Sequence, residues 1–308
     1  MTPRLSFVIS SWFAIGAMPA LAGTLTGHAQ ASAASRVYIS VDMEGVAGVV
    51  TADQLNPTGF EYERFRRFMT DEAVAAVRAA KEAGATEVVV SDSHGNGESL
   101  LLEQFPKDVR IVRSFPRHGA MMAGLDSTFA AAVFIGYHAS TTNATGVRAH
   151  TVSSAHFTRL ALNGKSVTEA ELNAAYAGDL NVPIIFVSGD DAAVREITDR
   201  LGAIDSVVTK TSMGFHSAQT LTPAAVCDRI YNGVLAAMAH RNGRALLNLT
   251  HPITLDITFK NYMPAELLAY LHSVKRVDAH SIQFVGQDMR EISDFIDFVD
   301  YYNADLTP

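Results

Sequence analysis

Val37-Tyr38-Ile39-Ser40-Val41-Asp42-Met43-Glu44-Gly45 reads as a buried strand that runs straight into two acids and a glycine. The run is short, β-branched and apolar on both faces, which suits a central strand of a parallel sheet covered on both sides. In such sheets the reactive chemistry gathers beyond the carboxyl ends of the strands. Asp42 and Glu44 stand at that end, two residues apart. If the strand stays extended there, both carboxylates point to one face. Two like charges held so close need a counter-charge, and a metal ion can supply it. A capped turn with a solvated glutamate explains the same letters, and on this stretch alone the two readings balance.

Working outward, the pattern recurs. A long amphipathic helix is expected over 62–83, with Phe65, Phe68, Met69, Ala73 and Val77 at helical spacing and Gly84 as its stop. The β-branched run at 86–90 is a second buried strand and ends in Ser91-Asp92-Ser93-His94-Gly95. That is a strand–helix–strand unit, with a right-handed crossover expected. A short strand at 109–112 and a helical turn at 121–125 precede a fourth strand at 130–135, which runs into Gly136-Tyr137-His138. Three strands delivering Asp/Glu, His and His to one edge are hard to explain by packing.

Further along, Asn163-Gly164 is a hairpin turn. A helix over 168–178 has Thr168 as N-cap and Glu171 placed to close a capping box. A strand at 183–187 ends in Gly189-Asp190-Asp191, which opens another helix. Beyond about 205 the strands alternate more and carry fewer acids at their ends. Strands are expected at 206–209, 253–259 and 282–285, with helices at 223–241, 264–271 and 289–302. The fold class is therefore α/β, a mostly parallel sheet flanked by helices. It is read as a metal-binding domain over 36–200, followed by a smaller C-terminal α+β domain over 201–308.

With 308 residues and an apolar fraction of 48%, the chain can build one large core or two modest ones. A net charge of −8 and the absence of any Lys/Arg run argue against nucleic acid as a partner. The first 33 residues carry one basic residue, Arg4, and no acid. The stretch 5–21 is mostly apolar and leads to the small-x-small site Ala20-Leu21-Ala22. This is the layout of a secretory signal peptide over 1–22, with Ala31 and Ala33 as later cleavage points and a flexible tail over 23–35. The expected location is periplasmic or extracellular, with no membrane span once the signal is removed. Cys227 is the only cysteine, so no intrachain disulfide is possible; it falls in an apolar helical run and reads as a small buried thiol.

Zinc takes His nitrogen and carboxylate oxygen, and carboxylates can bridge two metals in hydrolases. The chain offers Asp42, Glu44, His94 and His138 at strand ends and Glu169 in the first turn of a helix. Five ligands with a bridging carboxylate fit two metals better than one. Each member has a plainer explanation: a strand-end histidine is commonly a hydrogen-bonded structural group, and Glu169 alone is a helix-dipole acid. Asp190 and Asp191 serve equally as helix-start acids, and Asp92 as a turn cap. No HExxH motif is present, so the joint pattern carries the inference. Beside a metallopeptidase, the pattern is compatible with another metal-dependent hydrolase (a phosphoesterase or amidase) or with a non-catalytic exported metal- or solute-binding protein.

Ser40-Val41-Asp42-Met43-Glu44-Gly45, Asp92-Ser93-His94 and Gly136-Tyr137-His138-Ala139 resemble the DppA-like zinc-dependent D-aminopeptidases. So do Thr168-Glu169 ahead of Leu172-Asn173-Ala174, and Val187-Ser188-Gly189-Asp190-Asp191. The similarity runs from about residue 36 to the C-terminus, with the motifs in the same order. It implies two Zn2+ ions. Asp42 would be shared between them, with Glu44 and His94 completing one and His138 and Glu169 the other. His150 falls where that family carries a catalytic histidine, nucleophile or proton carrier, after a loop about one residue longer than the family's; His156 is the neighbouring candidate. The resemblance further implies a homo-oligomeric ring that admits short peptides. Family members are mainly intracellular, whereas this chain carries an export signal, so small D-Ala-containing peptides from cell-wall turnover are the expected substrates.

Overall fold

Arg36–Val41 forms β1, and its alternation divides the core: Val37, Ile39 and Val41 face one layer and Tyr38 the other, all fully buried. A one-turn helix α1 (Ala52–Leu55) follows, then α2 (Tyr62–Glu82), which lays Phe65, Met69, Ala73, Ala76 and Val77 against the sheet. Next come β2 (Glu87–Asp92), β3 (Arg110–Val112), β4 (Phe129–Tyr137), β5 (Phe157–Leu162), β6 (Lys165–Ser166) and α3 (Glu169–Asp179). Then follow β7 (Ile184–Asp190), α4 (Asp191–Leu201), β8 (Asp205–Gly214), β9 (Ser217–Thr220) and α5 (Pro223–Ala239). The chain closes with β10 (Ile253–Phe259), α6 (Tyr262–Leu268), β11 (Val274–Arg276), β12 (Ser281–Gly286) and α7 (Met289–Tyr301). This computed structural model describes residues 35–302 apart from 203 and 245, with the isolated positions 6, 8 and 10. Apart from those three positions, the expected export signal and the tail up to 34 lie outside the described residues.

The main sheet runs β3-β2-β1-β4-β7-β8-β9, parallel throughout except for the antiparallel edge pair β8/β9. Helices α2 and α5 cover one face, with Val77, Ile230 and Val234 in its core. Helices α3 and α4 cover the other through Ala170, Ala174, Ala193 and Ile197. From β1 the chain steps outward to β2 and β3, then returns to β4 on the opposite side and steps outward again to β7 and β8. The reversal lies between β1 and β4. In open α/β sheets a crevice opens there beyond the carboxyl ends, and ligands bind in it.

A second, antiparallel sheet has the order β11-β12-β10-β5-β6. The expected parting near residue 200 is crossed in both directions. Strand β5 leaves the first half to pair with β10 and carries β6 along on its other edge, whereas β8, β9 and α5 extend the main sheet. Helix α3 explains why the layers do not separate: Ala170, Ala174 and Ala177 pack on the main sheet, and Leu172 and Ala175 pack on the second. The described residues from 35 onward belong to one compact unit. Among them no helix is long and apolar enough to cross a membrane. Cys227 is half-buried in α5, where burial pushes its thiol up to about 12, so it stays protonated and unreactive at neutral pH.

Candidate metal centre

The strand does not stay extended past Val41. The Asp42 N–H still donates to the Ile135 carbonyl at 2.8 Å, but the chain then turns and the Gly45 N–H reaches the Gly136 carbonyl at 2.7 Å. Two glycines permit this approach of β1 to β4. A Cβ on Gly45 would stand 2.2 Å from the Tyr137 carbonyl oxygen, and one on Gly136 (φ +72°) would stand 2.2 Å from that of Asp42. The turn swings Glu44 back beside Asp42, so the pair shares a site by curling and not by strand alternation.

From beneath, β8 grips the same turn. Thr209 Oγ1 donates to the Gly45 carbonyl, and Lys210 Nζ donates to the carbonyls of Glu44 and of Val46, the latter at 2.8 Å. Lys210 is 1% exposed, and burial pulls it down to about 8 despite the acids Asp190, Glu72, Glu44 and Asp42. Glu72, wholly buried on α2, accepts from the Ala47 N–H at 2.9 Å, and burial pushes its carboxyl up to about 8. Sequence reasoning passed over both residues. The signal available was an acid interrupting the apolar stripe of α2 and a lysine within the β-branched Val207-Val208-Thr209-Lys210-Thr211.

The five expected ligands meet. Around His94, Nδ1 lies 3.2 Å from Asp42 Oδ1 and 3.0 Å from Glu44 Oε2. Around His138, Nε2 lies 3.3 Å from Asp42 Oδ2 and 3.3 Å from Glu169 Oε1. Asp42 thus directs one oxygen into each cluster. Asp42 Oδ2 and His138 Nε2 are buried, yet neither makes a hydrogen bond of acceptable geometry. Glu169 reaches the cluster because Thr168 caps α3 with a closed capping box to Glu171, which fixes the helix start; its Oε1 also accepts from the Val152 N–H at 2.6 Å.

The histidines share one design. Each gives one ring N–H to a backbone carbonyl: His94 Nε2 to Leu55 at 3.0 Å, His138 Nδ1 to Ala139 at 3.0 Å, and His150 Nδ1 to Arg148 at 2.8 Å. This leaves His94 Nδ1, His138 Nε2 and His150 Nε2 turned toward the acids, where each can carry a proton or, deprotonated, offer its lone pair to a metal. His150 stacks on His138 with centroids 4.0 Å apart, and its Nε2 lies 3.8 Å from Glu169 Oε1.

Charge balance bears on what the cluster can hold. Burial pushes Asp42 up, helped by Glu44. Burial opposes ionisation of Glu44 as well, but the His94 charge outweighs it and holds that carboxyl well below the usual range. Burial also works against charge on His94 and His138, yet Glu44 and Asp42 for the first, and Glu169 and Asp42 for the second, hold them well above the ordinary value. Left to itself, the cluster gathers protons to offset its acids. Deprotonated ligands around a divalent cation do the same more completely, and the donor set of carboxylates and imidazoles suits zinc. Asp42, Glu44 and His138 form one group able to hold an ion, and His138, His150 and Glu169 another. His150 differs from the other histidines: burial, and then the His138 charge, push it down, so its Nε2 is unprotonated at neutral pH.

These residues line a cavity of about 340 Å3 whose walls also include Asn56, Tyr62, Asn96 and Arg148. Other sequence candidates lie aside from it. His156 pairs with Asp300 at 2.9 Å, away from the cluster. Asp92 accepts from the Leu100 N–H at 2.7 Å, and Asp190 caps α4 through the N–H groups of Ala192 and Ala193. Asp191 accepts from the Ser212 N–H at 2.8 Å.

Comparison with known proteins places the chain in a family. The D-aminopeptidase model of the M55 peptidases matches residues 35–298. The D-aminopeptidase of Bacillus subtilis (strain 168) is 30% identical over 259 residues, spanning 83% of this chain and 93% of the relative. The solved structure of the Zn-dependent D-aminopeptidase DppA from Bacillus subtilis, a self-compartmentalizing protease, superposes with a TM-score of 0.83. It is 28% identical and covers 86% of this chain and 96% of that one.

Proposed function

The chain belongs to the D-aminopeptidase family of the M55 peptidases, and from that premise we propose that it is an exported zinc aminopeptidase that uses two metal ions to release N-terminal residues, D-alanine among them, from short peptides. The observation that carries the proposal is the buried, unpartnered pair Asp42 Oδ2 and His138 Nε2, 3.3 Å apart between two groups of ligands. One zinc would be held by Glu44, His94 and Asp42, the other by His138, Glu169 and Asp42. Zinc bound there supplies polarisation of the scissile carbonyl and an activated water near neutral pH.

The protein's own groups do the rest. Asp42, with one oxygen toward His94 and the other toward His138, would serve both positions. The backbone bonds of His94 and His138 hold each ring in the tautomer whose lone pair faces the acids. His150, unprotonated and oriented by Arg148, accepts a proton at Nε2 and returns it to the leaving amine. The self-compartmentalizing nature of DppA, together with exposed Met263, Leu267, Tyr270 and Tyr302 around α6 and the end of α7, supports a homo-oligomer that restricts access to short peptides. The N-terminal pattern supports action outside the cytoplasm, on peptides of cell-wall turnover.

The test is metal analysis beside an assay of D-Ala-D-Ala hydrolysis, with phosphate esters in parallel, on wild type and His138→Ala. The expected result is about two zinc ions per chain, release of D-alanine, and loss of activity in the variant. A single metal sinks the binuclear reading; hydrolysis of phosphate esters alone sinks the peptidase reading. N-terminal sequencing of secreted protein should find a chain that begins at Gly23.

A further inference from the structure

Beside the metal centre lies a second, smaller cavity of about 160 Å3 that shares Ser93, Gly95, Val152 and Glu169 with it. Its far wall is α7, where Ser293, Ile296, Asp297, Asp300 and Tyr301 recur at helical spacing. Phe115 and Leu172 close it with apolar surface. Three acids of α7 stand on or near this wall, and they are not equivalent. Asp294 pairs with His118 at 2.9 Å and accepts from the Gly119 N–H; Asp300 pairs with His156 at 2.9 Å. Asp297 is 7% exposed, makes no ion pair among the described residues, and its Oδ2 has no hydrogen-bond partner.

The nearest cation is already committed. Arg117 gives its guanidinium N–H groups to the carbonyls of Ser114, Ala120 and Asp92 and to Ser91 Oγ. Burial pushes Asp297 up to about 6, and the Arg117 backbone N–H and charge offset this only in part, so the group is an anion at neutral pH. A buried carboxylate without a cation of its own is costly to keep. Here it lines a small cavity that shares four wall residues, Glu169 among them, with the cavity of the candidate metal centre.

We infer that Asp297 anchors the α-ammonium of the substrate, and that the cavity takes the small side chain of the first residue. This rests on the aminopeptidase reading and deepens it: an exopeptidase must recognise a free amine next to the bond it cuts, and the metal ligands alone do not measure that. The anchor makes the enzyme select peptides with an unblocked N-terminus and a small first side chain. Asp297 acts by positioning the substrate, through a charge-assisted bond formed only when an amine is present.

Two zinc-binding probes that differ only in the amine, D-alanine hydroxamate and propionohydroxamate, test this by calorimetry on the zinc-loaded full chain. Wild type should bind the first at least about tenfold tighter, and Asp297→Asn should bring the ratio near unity with zinc content unchanged. Should Asp297→Asn fail to fold or lose zinc, Asp297→Ser is judged by the same ratio. Equal binding of the two probes by wild type, or an unchanged ratio in a folded, zinc-loaded variant, overturns the assignment. Failure of the peptidase reading would show separately, as absent D-Ala-D-Ala hydrolysis by wild type whatever the probe ratio.

Discussion

Replacing Lys210 by Met separates what holds the fold from what holds the metal. Lys210 is buried and spends its ammonium on the carbonyls of Glu44 and Val46, the two ends of the turn that presents Glu44. Its depression from 10.5 to about 8 means that keeping the charge buried costs about 3 kcal/mol at neutral pH. Met fills nearly the same volume without that cost, but leaves two buried carbonyls unsatisfied, at about 1–3 kcal/mol each. The opposing terms are of similar size, so urea unfolding of zinc-free Lys210→Met should agree with wild type within about 2 kcal/mol. The turn, however, loses its tether, and groups that orient metal ligands are worth about 10- to 100-fold in affinity. Chelator competition should show weaker zinc binding of that order, with activity restored by excess zinc. Unchanged zinc affinity would refute the idea that Lys210 positions Glu44. A collapse of stability with zinc affinity intact in the folded fraction would make it a structural residue only.

Two other outcomes follow from the buried groups. Glu72 has a folded pKa of about 8, above the ordinary 4.5, so the native state binds the extra proton. Its contribution to stability is full below about pH 4.5 and is lost as pH rises toward 8. Glu72→Gln keeps the acceptor for the Ala47 N–H and removes the titration; urea midpoints of zinc-free protein should match wild type near pH 4.5 and exceed it increasingly up to pH 8, and parallel pH profiles would disprove the assignment. His150→Ala should keep its zinc and lower kcat by about 10²- to 10⁴-fold, the range for a proton carrier; loss of one zinc on metal analysis would instead make His150 a ligand, which its 3.8 Å approach to Glu169 allows.

The centre of this protein is legible because a parallel strand buried on both faces leaves an unbroken β-branched run, and polar residues at its end then stand out. Asp42, His94 and His138 stand out that way at the ends of adjacent strands, and the fold brings them together. Glu169 is a different case. At the first position of α3 an acid is favoured by the helix dipole whether or not it binds anything, so the letters carry no contrast. The exchange of strands between sheets escaped for a similar reason: the apolar residues of β5 look alike whether the partner is a main-sheet strand or β10, and hydrogen-bonding partners are not encoded locally. Lys210 was hidden by geometry. Along β8 it alternates with buried Val207 and Thr209, on the side of half-exposed Val208, where a lysine normally reaches solvent; it is buried because the returning 44–46 turn lies across it. Asp297 shares that logic, since α7 is amphipathic and its acids look solvated until Arg117 and the β2 end are folded against them. What sequence pattern conveys is which face of an element is apolar. Which polar residues are then trapped between two such faces depends on the crossing of distant elements, and in this fold those trapped charges surround the candidate metal centre.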